Sequence, residues 1–229
     1  MISVIIPTLN AEGSLVETLS ALIPATVEGL VREVIIVDGG SKDRTLKIAD
    51  QAGSVVVSSP PGRGMQLRAG ADAARFTWLL FLHADTVLQP GWARETWGHI
   101  EPIEEGKRTD AAGAFRFALD DNGFMPRLVE WGVGLRCAIL CLPYGDQGLL
   151  VSRNLYRRTG GYRDLPLMED VDLARRLGRS RIAILRSTAV TSAARYQRDG
   201  YMRRIARNLA CLTLYYLRVP PRVITRIYG

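Results

Sequence analysis

In the N-terminal part of the chain, the apolar positions gather in four short solid blocks, each closed by polar or helix-breaking residues. Ile2-Ser3-Val4-Ile5-Ile6 ends at Pro7, and Glu33-Val34-Ile35-Ile36-Val37 ends at Asp38-Gly39-Gly40-Ser41. Ser54-Val55-Val56-Val57 runs into the breaker-rich turn Ser58-Ser59-Pro60-Pro61-Gly62-Arg63-Gly64. Trp78-Leu79-Leu80-Phe81-Leu82 stops at His83-Ala84-Asp85-Thr86. Solid runs of large and β-branched residues, without alternation, predict strands, and in the first, second and fourth blocks buried ones, as in a parallel sheet covered by helices. Between the blocks the period changes. Leu15, Leu19 and Leu22 recur at helical spacing and predict a helix over residues 14–23. A helix carrying Gln66, Arg68 and Ala71 follows the third block. Ser41 can cap the helix after the second block, with Asp43 near its positive end. Strand and helix thus alternate, which predicts a parallel α/β sheet with right-handed crossovers.

Beyond Asp85 the pattern is less regular. Gln89-Pro90-Gly91-Trp92 opens a predicted helix to about Ile100, on which His99 is expected to face solvent. Glu104 to Arg108 is a charged loop. Residues 112–119 read as a strand with Phe115 and Phe117 on one side. Residues 124–142 read as a largely apolar helix despite Pro126, Gly132 and Gly134. A loop over 143–148 leads to a short strand at 149–151. A short helix at 155–159 closes at Gly160-Gly161-Tyr162, and another opens at Pro166-Leu167-Met168-Glu169-Asp170-Val171-Asp172-Leu173. Near the C-terminus, Tyr201, Met202, Ile205, Leu209, Leu212 and Tyr216 form one stripe on a helical wheel, with Arg203 and Arg207 opposite.

Charge changes this picture at one end. The chain of 229 residues carries a formal net charge of +7. From Arg195 onward there are eight arginines against one acid, Asp199, which accounts for the whole excess. A neutral body with a basic end predicts an anionic surface as partner, either membrane phospholipid or an acidic acceptor. It argues against nucleic-acid binding, which would spread basic charge along a groove. No apolar run approaches the ~20 residues needed to span a bilayer. Met1 runs straight into a strand with no basic leader or cleavage site, which predicts a cytoplasmic location. Cys137, Cys141 and Cys211 are odd in number and lack metal-binding spacing, so they are expected to be free thiols in a reducing compartment.

Four places carry candidate chemistry. Asp85 stands at the C-terminal end of a buried strand, where open α/β sheets bind ligands. His83, two residues earlier, points the same way on an extended chain. Asp85 suits a hard divalent cation bridging it to a diphosphate, or else it caps the next turn. Asp38 can accept hydrogen bonds from a ribose or base, or serve as a turn aspartate. Arg63, between two glycines, can meet a phosphate or remain a solvated loop charge. Glu169 and Asp170 suit the first turn of a helix on dipole grounds, and with Asp172 close by they also offer a general base. Neither GxGxxG after the first strand nor GxxxxGK[ST] occurs, which removes support for dinucleotide and P-loop readings.

Five stretches together carry a resemblance. They are Val4-Ile5-Ile6-Pro7-Thr8-Leu9-Asn10, Val34-Ile35-Ile36-Val37-Asp38-Gly39-Gly40-Ser41-Lys42-Asp43, Leu82-His83-Ala84-Asp85-Thr86, Gly160-Gly161-Tyr162 and Met168-Glu169-Asp170-Val171-Asp172-Leu173. In this order the chain resembles family 2 glycosyltransferases. The Gly-Asp-Gln and Leu-Met-Glu-Asp stretches further resemble a small bacterial subgroup associated with radical-SAM and selenium-domain proteins, also described as arsenosugar-biosynthesis glycosyltransferases.

The resemblance implies a GT-A fold: a mostly parallel sheet flanked by helices. Residues 1–88 would be its nucleotide-binding half and 89–194 its acceptor and catalytic half, followed by a basic amphipathic helix and tail over 195–229. It implies a nucleotide-sugar site built from Pro7, Thr8, Asn10, Asp38, Gly39, Arg63, Arg68, His83, Ala84 and Asp85, with Thr8 and Asp38 on the nucleoside. Asp85 would hold Mg²⁺ or Mn²⁺ on the diphosphate; His83 stands where the family usually has a first aspartate. Asp170, beside Glu169, matches the catalytic base. Leu67-Arg68 stands where the family often has Arg-Asn. Asp146, Gln147, Arg195 and Tyr196 are the expected acceptor contacts, the last two resembling the Arg-Trp pair of processive members.

The implied activity is inverting transfer from a nucleotide-diphosphate sugar to an unidentified hydroxyl acceptor, with peripheral contact to an anionic membrane. The chemistry needs leaving-group stabilisation and a base at the acceptor hydroxyl, and Asp85 and Asp170 can fill these separate roles. Two other readings stay open at this point. A sugar-phosphate nucleotidyltransferase would carry a Gly-rich basic loop after the first strand, where this chain has Pro7-Thr8-Leu9-Asn10-Ala11-Glu12. A non-catalytic nucleotide-sugar or membrane-surface binding module would have no need of Glu169-Asp170.

Overall fold

The computed structural model describes residues 1–228. Its strands are β1 (Ile2–Thr8), β2 (Val31–Asp38), β3 (Val55–Ser58), β4 (Trp78–Phe81), β5 (Thr86–Leu88), β6 (Ala112–Leu119), β7 (Leu149–Ser152) and β8 (Ile182–Thr191). They form one sheet in the order β3-β2-β1-β4-β7-β6-β8-β5. The helices are α1 (Leu15–Ser20), α2 (Ile23–Val27), α3 (Thr45–Gln51), α4 (Arg63–Ala73), α5 (Trp92–Glu104) and α6 (Phe124–Leu140), then α7 (Arg153–Arg158), α8 (Glu169–Leu177), α9 (Ala194–Asp199), α10 (Tyr201–Tyr216) and α11 (Pro221–Tyr228).

The solid apolar blocks become the parallel half of the sheet, β3-β2-β1-β4. Burial on both faces follows the pleat. Val4, Ile6, Ile36 and Leu80 point to one face, against Leu15, Leu22, Trp92 and Ile100. Ile5, Ile35, Val37, Leu79 and Phe81 point to the other, against Leu67, Ala71, Leu155 and Leu173. Each fully buried aliphatic side chain contributes about 1.5–3 kcal/mol of transfer free energy. β2, β1 and β4 therefore have no solvent face that would allow their register to slip, whereas β3 is an edge strand with Val55 and Val56 exposed.

α4 lies especially close to the sheet. A Cβ on Gly70 would press into Ile5 and come within 2.8 Å of Val37 Cγ2. Both neighbours are β-branched and buried, so they cannot swing away. Gly70→Ala should therefore lower stability by about 1–3 kcal/mol from overpacking, outweighing the gain in helix propensity of up to ~1 kcal/mol. A urea melt with an unchanged slope and a lower midpoint is the expected result; a raised midpoint would mean that α4 has room to lift.

The expectation of a mostly parallel sheet is corrected: the sheet is mixed. β7 is antiparallel to both β4 and β6, and β5 is antiparallel to β8. β6 and β8 are parallel. A four-residue apolar strand such as β7 reads the same in either direction, so direction was not legible. β5 and β8 correspond to no sequence expectation: β5 is only three residues long, and β8 mixes buried, half-buried and exposed positions rather than forming a solid block. The helix expected over 14–23 is two short helices, with Pro24 in the first turn of α2.

Two further corrections bear on the site. His99 faces the core, not solvent: its Nε2 lies 3.0 Å from Ala111 O and its ring is edge-on to Trp78. Burial drives its pKa down. On α10 the expected apolar stripe is split, with Tyr201, Ile205 and Leu212 packed inward and the rest exposed. Met202 and Leu209 are 67% and 60% exposed, while Arg204 and Cys211 are buried. Arg204 can turn inward because it pairs with Asp199 and its Nη2 donates to Tyr228 Oη at 2.7 Å. All three cysteines are free.

Candidate active site

The C-terminal tips of β1, β2 and β4 lie side by side, as the parallel register demands. Two tip loops are latched together. Asn10, held at φ 52°, donates its backbone N–H to Ser41 Oγ, and its Oδ1 accepts from Lys42 N at 2.8 Å. Ala11 N donates to Thr45 Oγ1, and Glu12 N to Asp43. Asp38 is buried, and both its oxygens are occupied. Gly40 N and Ser41 N donate to Oδ2, each at 2.9 Å, while Ser41 Oγ and Thr8 Oγ1 donate to Oδ1. Burial works against its charge, but these donors outweigh it and hold its carboxyl below the usual range. From α4, buried Gln66 donates to both Thr8 O and Val37 O at 2.8 Å. Gly39 lies against Gln66 and leaves little room for a side chain.

These latches leave an open cleft walled by Pro7, Thr8, Asn10, Arg63, His83, Ala84, Asp85 and Arg195. Asp38 and Gly39 stand behind that wall rather than on it. Arg68 is exposed on α4 and lines neither this cleft nor the one beside it. The α4 residues that reach the cleft are Arg63 and Gln66.

A second cleft adjoins the first and shares Arg63, His83, Asp85 and Arg195 with it. The loop carrying Asp85 is fixed from two sides: Thr18 Oγ1 donates to Ala84 O, and Ser192 N donates to Asp85 O. Thr191 Oγ1 lies 2.7 Å from Thr86 Oγ1 and donates to Asp146 O. The Asp85 side chain itself makes no hydrogen bond or ion pair among the described residues.

Glu169 and Asp170 open α8 on the far wall of this second cleft. Met168, just before them, has φ 68°, a left-handed conformation that costs roughly 1–2 kcal/mol for such a side chain. That strain sits directly beside the acidic pair. Asp170 is oriented by two donors: Tyr162 Oη at 3.2 Å from Oδ1 and Gly145 N at 3.0 Å from Oδ2. Burial raises its pKa, with the Arg63 charge and these two hydrogen bonds opposing. Glu169 is 3% exposed, and Arg63 Nη1 lies 3.5 Å from its Oε1. Burial, then the Asp170 charge, pushes Glu169 up to about 7.

Asp146 also lines this cleft, and its buried Oδ1 has no partner. Burial raises its pKa to about 6, with Asp170 and Asp85 adding to the rise and Arg136 opposing it. Gln147 is not on the cleft wall. It donates to Phe115 O and accepts from Tyr144 N, Arg136 and Cys137, so it braces the turn that presents Gly145 and Asp146. Tyr196 lines the cleft, and its hydroxyl pKa is pushed up to about 12 by burial. Arg204 and Tyr228 of the C-terminal helices complete the wall.

Sequence reasoning missed Gly145, Tyr162 and Gln66. Gly145 is the tightest position in the site. A Cβ there would overlap His83 Nε2 and lie 2.7 Å from Asp170 Oδ2. Both obstructing groups are side chains that can swing, so Gly145→Ala should fold but displace Asp170. Turnover is expected to fall by ~10²-fold, the cost of misplacing a reacting group by about 1 Å. Steady-state rates beside a thermal melt would check this; wild-type turnover would show that Asp170 does not need its present position.

The donor set fits a divalent cation on a diphosphate. Among the described residues no three metal-binding side chains form a cage. Mg²⁺ typically takes only one or two carboxylates together with substrate phosphates. Asp85, an unpartnered hard oxygen donor where the two clefts meet, meets that requirement. His83 Nε2 is buried without a partner, against Gly145. Burial, with the Arg63 and Arg195 charges, holds its pKa well below the usual histidine value, so the ring is neutral.

Comparison with known proteins shows the family and the fold. Residues 3–160 match the sequence model of the family described as Glycosyl transferase family 2. A PGL/p-HBAD biosynthesis glycosyltransferase from Mycobacterium bovis is 36% identical over 101 residues, 38% of this chain and 36% of that protein. The chain thus matches little more than a third of that relative's length. An undecaprenyl-phosphate 4-deoxy-4-formamido-L-arabinose transferase from Pseudomonas aeruginosa is 29% identical over 157 residues, 63% of this chain and 45% of that protein. Among solved structures, glucosyl-3-phosphoglycerate synthase from Mycobacterium tuberculosis with Mn²⁺, UDP-glucose and phosphoglyceric acid superimposes with a TM-score of 0.57 at 26% identity, covering 84% of this chain and 70% of that one. The complex with Mn²⁺ and UDP-glucose alone gives 0.58 at 24% identity, covering 84% and 69%. The fold is that of the GT-A class, with a mixed sheet.

Proposed function

The chain belongs to glycosyl transferase family 2, and from that premise we propose that it moves a sugar from a nucleotide-diphosphate donor to an acceptor hydroxyl with inversion at the anomeric carbon. One observation carries the reading. Two clefts meet at Arg63, His83, Asp85 and Arg195, and an oriented carboxylate, Asp170, faces the junction from the side away from the strand-tip loops.

In this reading residues 1–88 hold the donor. Pro7, Thr8 and Asn10 border the nucleoside, while Asp38, Gly39 and Gln66 keep that border in shape. Arg63 and Arg195 face the diphosphate. Asp85 would hold Mg²⁺ or Mn²⁺, which when bound supplies positive charge to the leaving diphosphate. Residues 89–194 supply the acceptor side and the base. Asp170 takes the proton from the acceptor hydroxyl as that oxygen bonds to the anomeric carbon. The bond from that carbon to the diphosphate breaks, and its electron pair leaves on the phosphate oxygen. Tyr162 and Gly145 N hold Asp170 in place for this step. Glu169, paired with Arg63, adjusts the charge around it. Asp146, with one unpartnered oxygen, is suited to accept from a second hydroxyl of the acceptor, beside Tyr196. Residues of the basic C-terminal segment, among them Arg195, Arg204 and Tyr228, close this side.

Three finer points belong to the same reading. The Gly-Asp-Gln and Leu-Met-Glu-Asp stretches support the small subgroup associated with radical-SAM and selenium-domain proteins. No helix of the described chain is long and apolar enough to cross a membrane, and a cytoplasmic site of action agrees with the free cysteines. The basic C-terminal segment supports peripheral contact with an anionic membrane.

A donor screen tests the reading: UDP-, GDP- and dTDP-sugars with Mn²⁺, followed by thermal stabilisation, since a ligand of the native state raises apparent stability. At least one donor should stabilise the protein, and more with Mn²⁺ than with chelator. No response to any of them would overturn it.

A further inference from the structure

The solvent face of α6 is apolar from end to end. Phe124, Leu128, Trp131, Leu135 and Ile139 are all exposed and recur at helical spacing. Phe124 is 78% exposed and Trp131 66%. The stripe runs about 22 Å along the helix at 1.5 Å per residue. Nothing charged interrupts it unneutralised. Arg127 and Glu130 pair with each other, and Arg136 turns inward onto the Tyr144 ring and Gln147. Nor is the stripe surplus core, because α6 has a separate inner face. There Val129 and Val133 pack with Phe117, Leu119, Tyr201 and Ile205. That contact also sets α10 directly beside α6.

α10 and α11 add charge to this apolar ground. The last acid of the described chain, Asp199, is shared by Arg198, Arg204 and Arg207. Beyond those three, Arg203, Arg218, Arg222 and Arg226 are exposed and form no ion pair among the described residues. The same segment also exposes Met202, Leu209, Leu217, Val223 and Ile227. Large apolar side chains including a tryptophan, next to arginines with no acidic partner, are what an interfacial helix presents to lipid headgroups.

We propose that the exposed faces of α6, α10 and α11 form a docking surface for an anionic lipid membrane, with α6 as its apolar insert and the four arginines as its electrostatic part. This deepens the peripheral contact proposed above by placing its apolar component on α6, which the sequence gives no reason to single out. Charge selects the membrane over a second copy of the chain. A two-fold contact through this surface would bring the same arginines near one another with no acid to separate them, a repulsion that an anionic surface turns into attraction. An exposed apolar face of this length is also unusual for a surface in contact only with water.

The test is vesicle flotation with the full chain. Phosphatidylcholine vesicles containing phosphatidylglycerol are compared with pure phosphatidylcholine vesicles, at low and high salt. Wild type should float with the anionic vesicles at low salt, less at high salt, and little with neutral ones. The triple variant Trp131→Ser, Leu135→Ser, Ile139→Ser should lose at least ~10-fold in partitioning. Single Trp131→Ser and the pair Arg222→Gln, Arg226→Gln serve as milder changes at exposed positions, with thermal melts to confirm folding. Each should weaken binding, and the arginine pair should also flatten its salt dependence. Wild type that ignores anionic vesicles at low salt overturns the proposal, as does an α6 variant that binds like wild type. So does a dimer in sedimentation that Trp131→Ser dissolves, which would give the face to a second copy. Flotation needs neither donor nor acceptor, so its outcome is separate from that of the donor screen.

Discussion

Asp170→Asn should retain donor binding and lose turnover by ~10²-fold or more, with up to ~10⁴-fold within the range for a positioned base. At 1.36 kcal/mol per tenfold, that is roughly 3–5 kcal/mol of transition-state stabilisation. The change keeps size and helix position but removes the proton acceptor. It also replaces one of two accepting oxygens by an NH₂ group, so with the amide oxygen kept on Gly145 N the Tyr162 hydroxyl proton loses its acceptor. Leaving one buried donor unpaired costs about 1–3 kcal/mol, so a modest fall in melting temperature is expected beside the loss of rate. The pH dependence has a definite sign. A base acts only when ionised, and burial raises the pKa of Asp170. Activity should therefore fall with decreasing pH at values above the ordinary aspartate range. Glu169 is pushed to about 7 in the same pair, so the limb belongs to the pair. Steady-state rates across pH, with donor affinity measured separately, check this. Near-normal turnover in the variant would move the base to Glu169 or Asp172.

Asp85→Ala should abolish the part of nucleotide-diphosphate binding that depends on a divalent cation, while leaving the free protein as stable as wild type. The second half of that statement follows from the structure, because the Asp85 side chain has no partner to lose, and such changes usually stay within about 0.5 kcal/mol. The first half can be sized. A nucleotide at 100 times its dissociation constant stabilises the native state by about 2.7 kcal/mol. For a domain of this size that is a shift of about 5–10 °C. In Asp85→Ala the shift in the presence of Mn²⁺ should shrink to the one seen with chelator. A folded variant with an undiminished Mn²⁺-dependent shift would remove Asp85 from the metal site.

The parts of this molecule that could be read from sequence are those whose signal is local. β1, β2 and β4 are solid apolar runs, and a residue at the tip of such a strand has a known direction. His83 and Asp85 were placed in this way, while Thr8 came from the family resemblance. Glu169 and Asp170 were found because acids at a helix start invite a question that position alone can frame. Non-local roles were not legible. Gly145 meets Asp170 across 25 positions, and Gln66 meets Thr8 across 58. Tyr162 is only 8 residues from Asp170, yet its hydroxyl reaches the carboxylate only because the chain folds back before α8. Arg68 was expected at the nucleotide but faces solvent, because helical spacing turns it away from the face that carries Gln66. On α10 the apolar stripe divides, with Tyr201, Ile205 and Leu212 packed inward while Met202 and Leu209 stay exposed and Arg204 takes an inward place. An arginine is a poor core residue by composition, and only Asp199 and the Tyr228 hydroxyl, both brought in by folding, make Arg204 an inward one.

The central claim is a direct displacement at the junction of the two clefts, with Asp170 as the base. It is tested most directly by proton NMR of the sugar anomer formed early in turnover, with a stabilising nucleotide sugar, Mn²⁺, and water or a simple alcohol as acceptor. The account predicts that the first product carries the anomeric configuration opposite to the donor, and that it fails to form with Asp170→Asn. A first product with the donor's own configuration would contradict it.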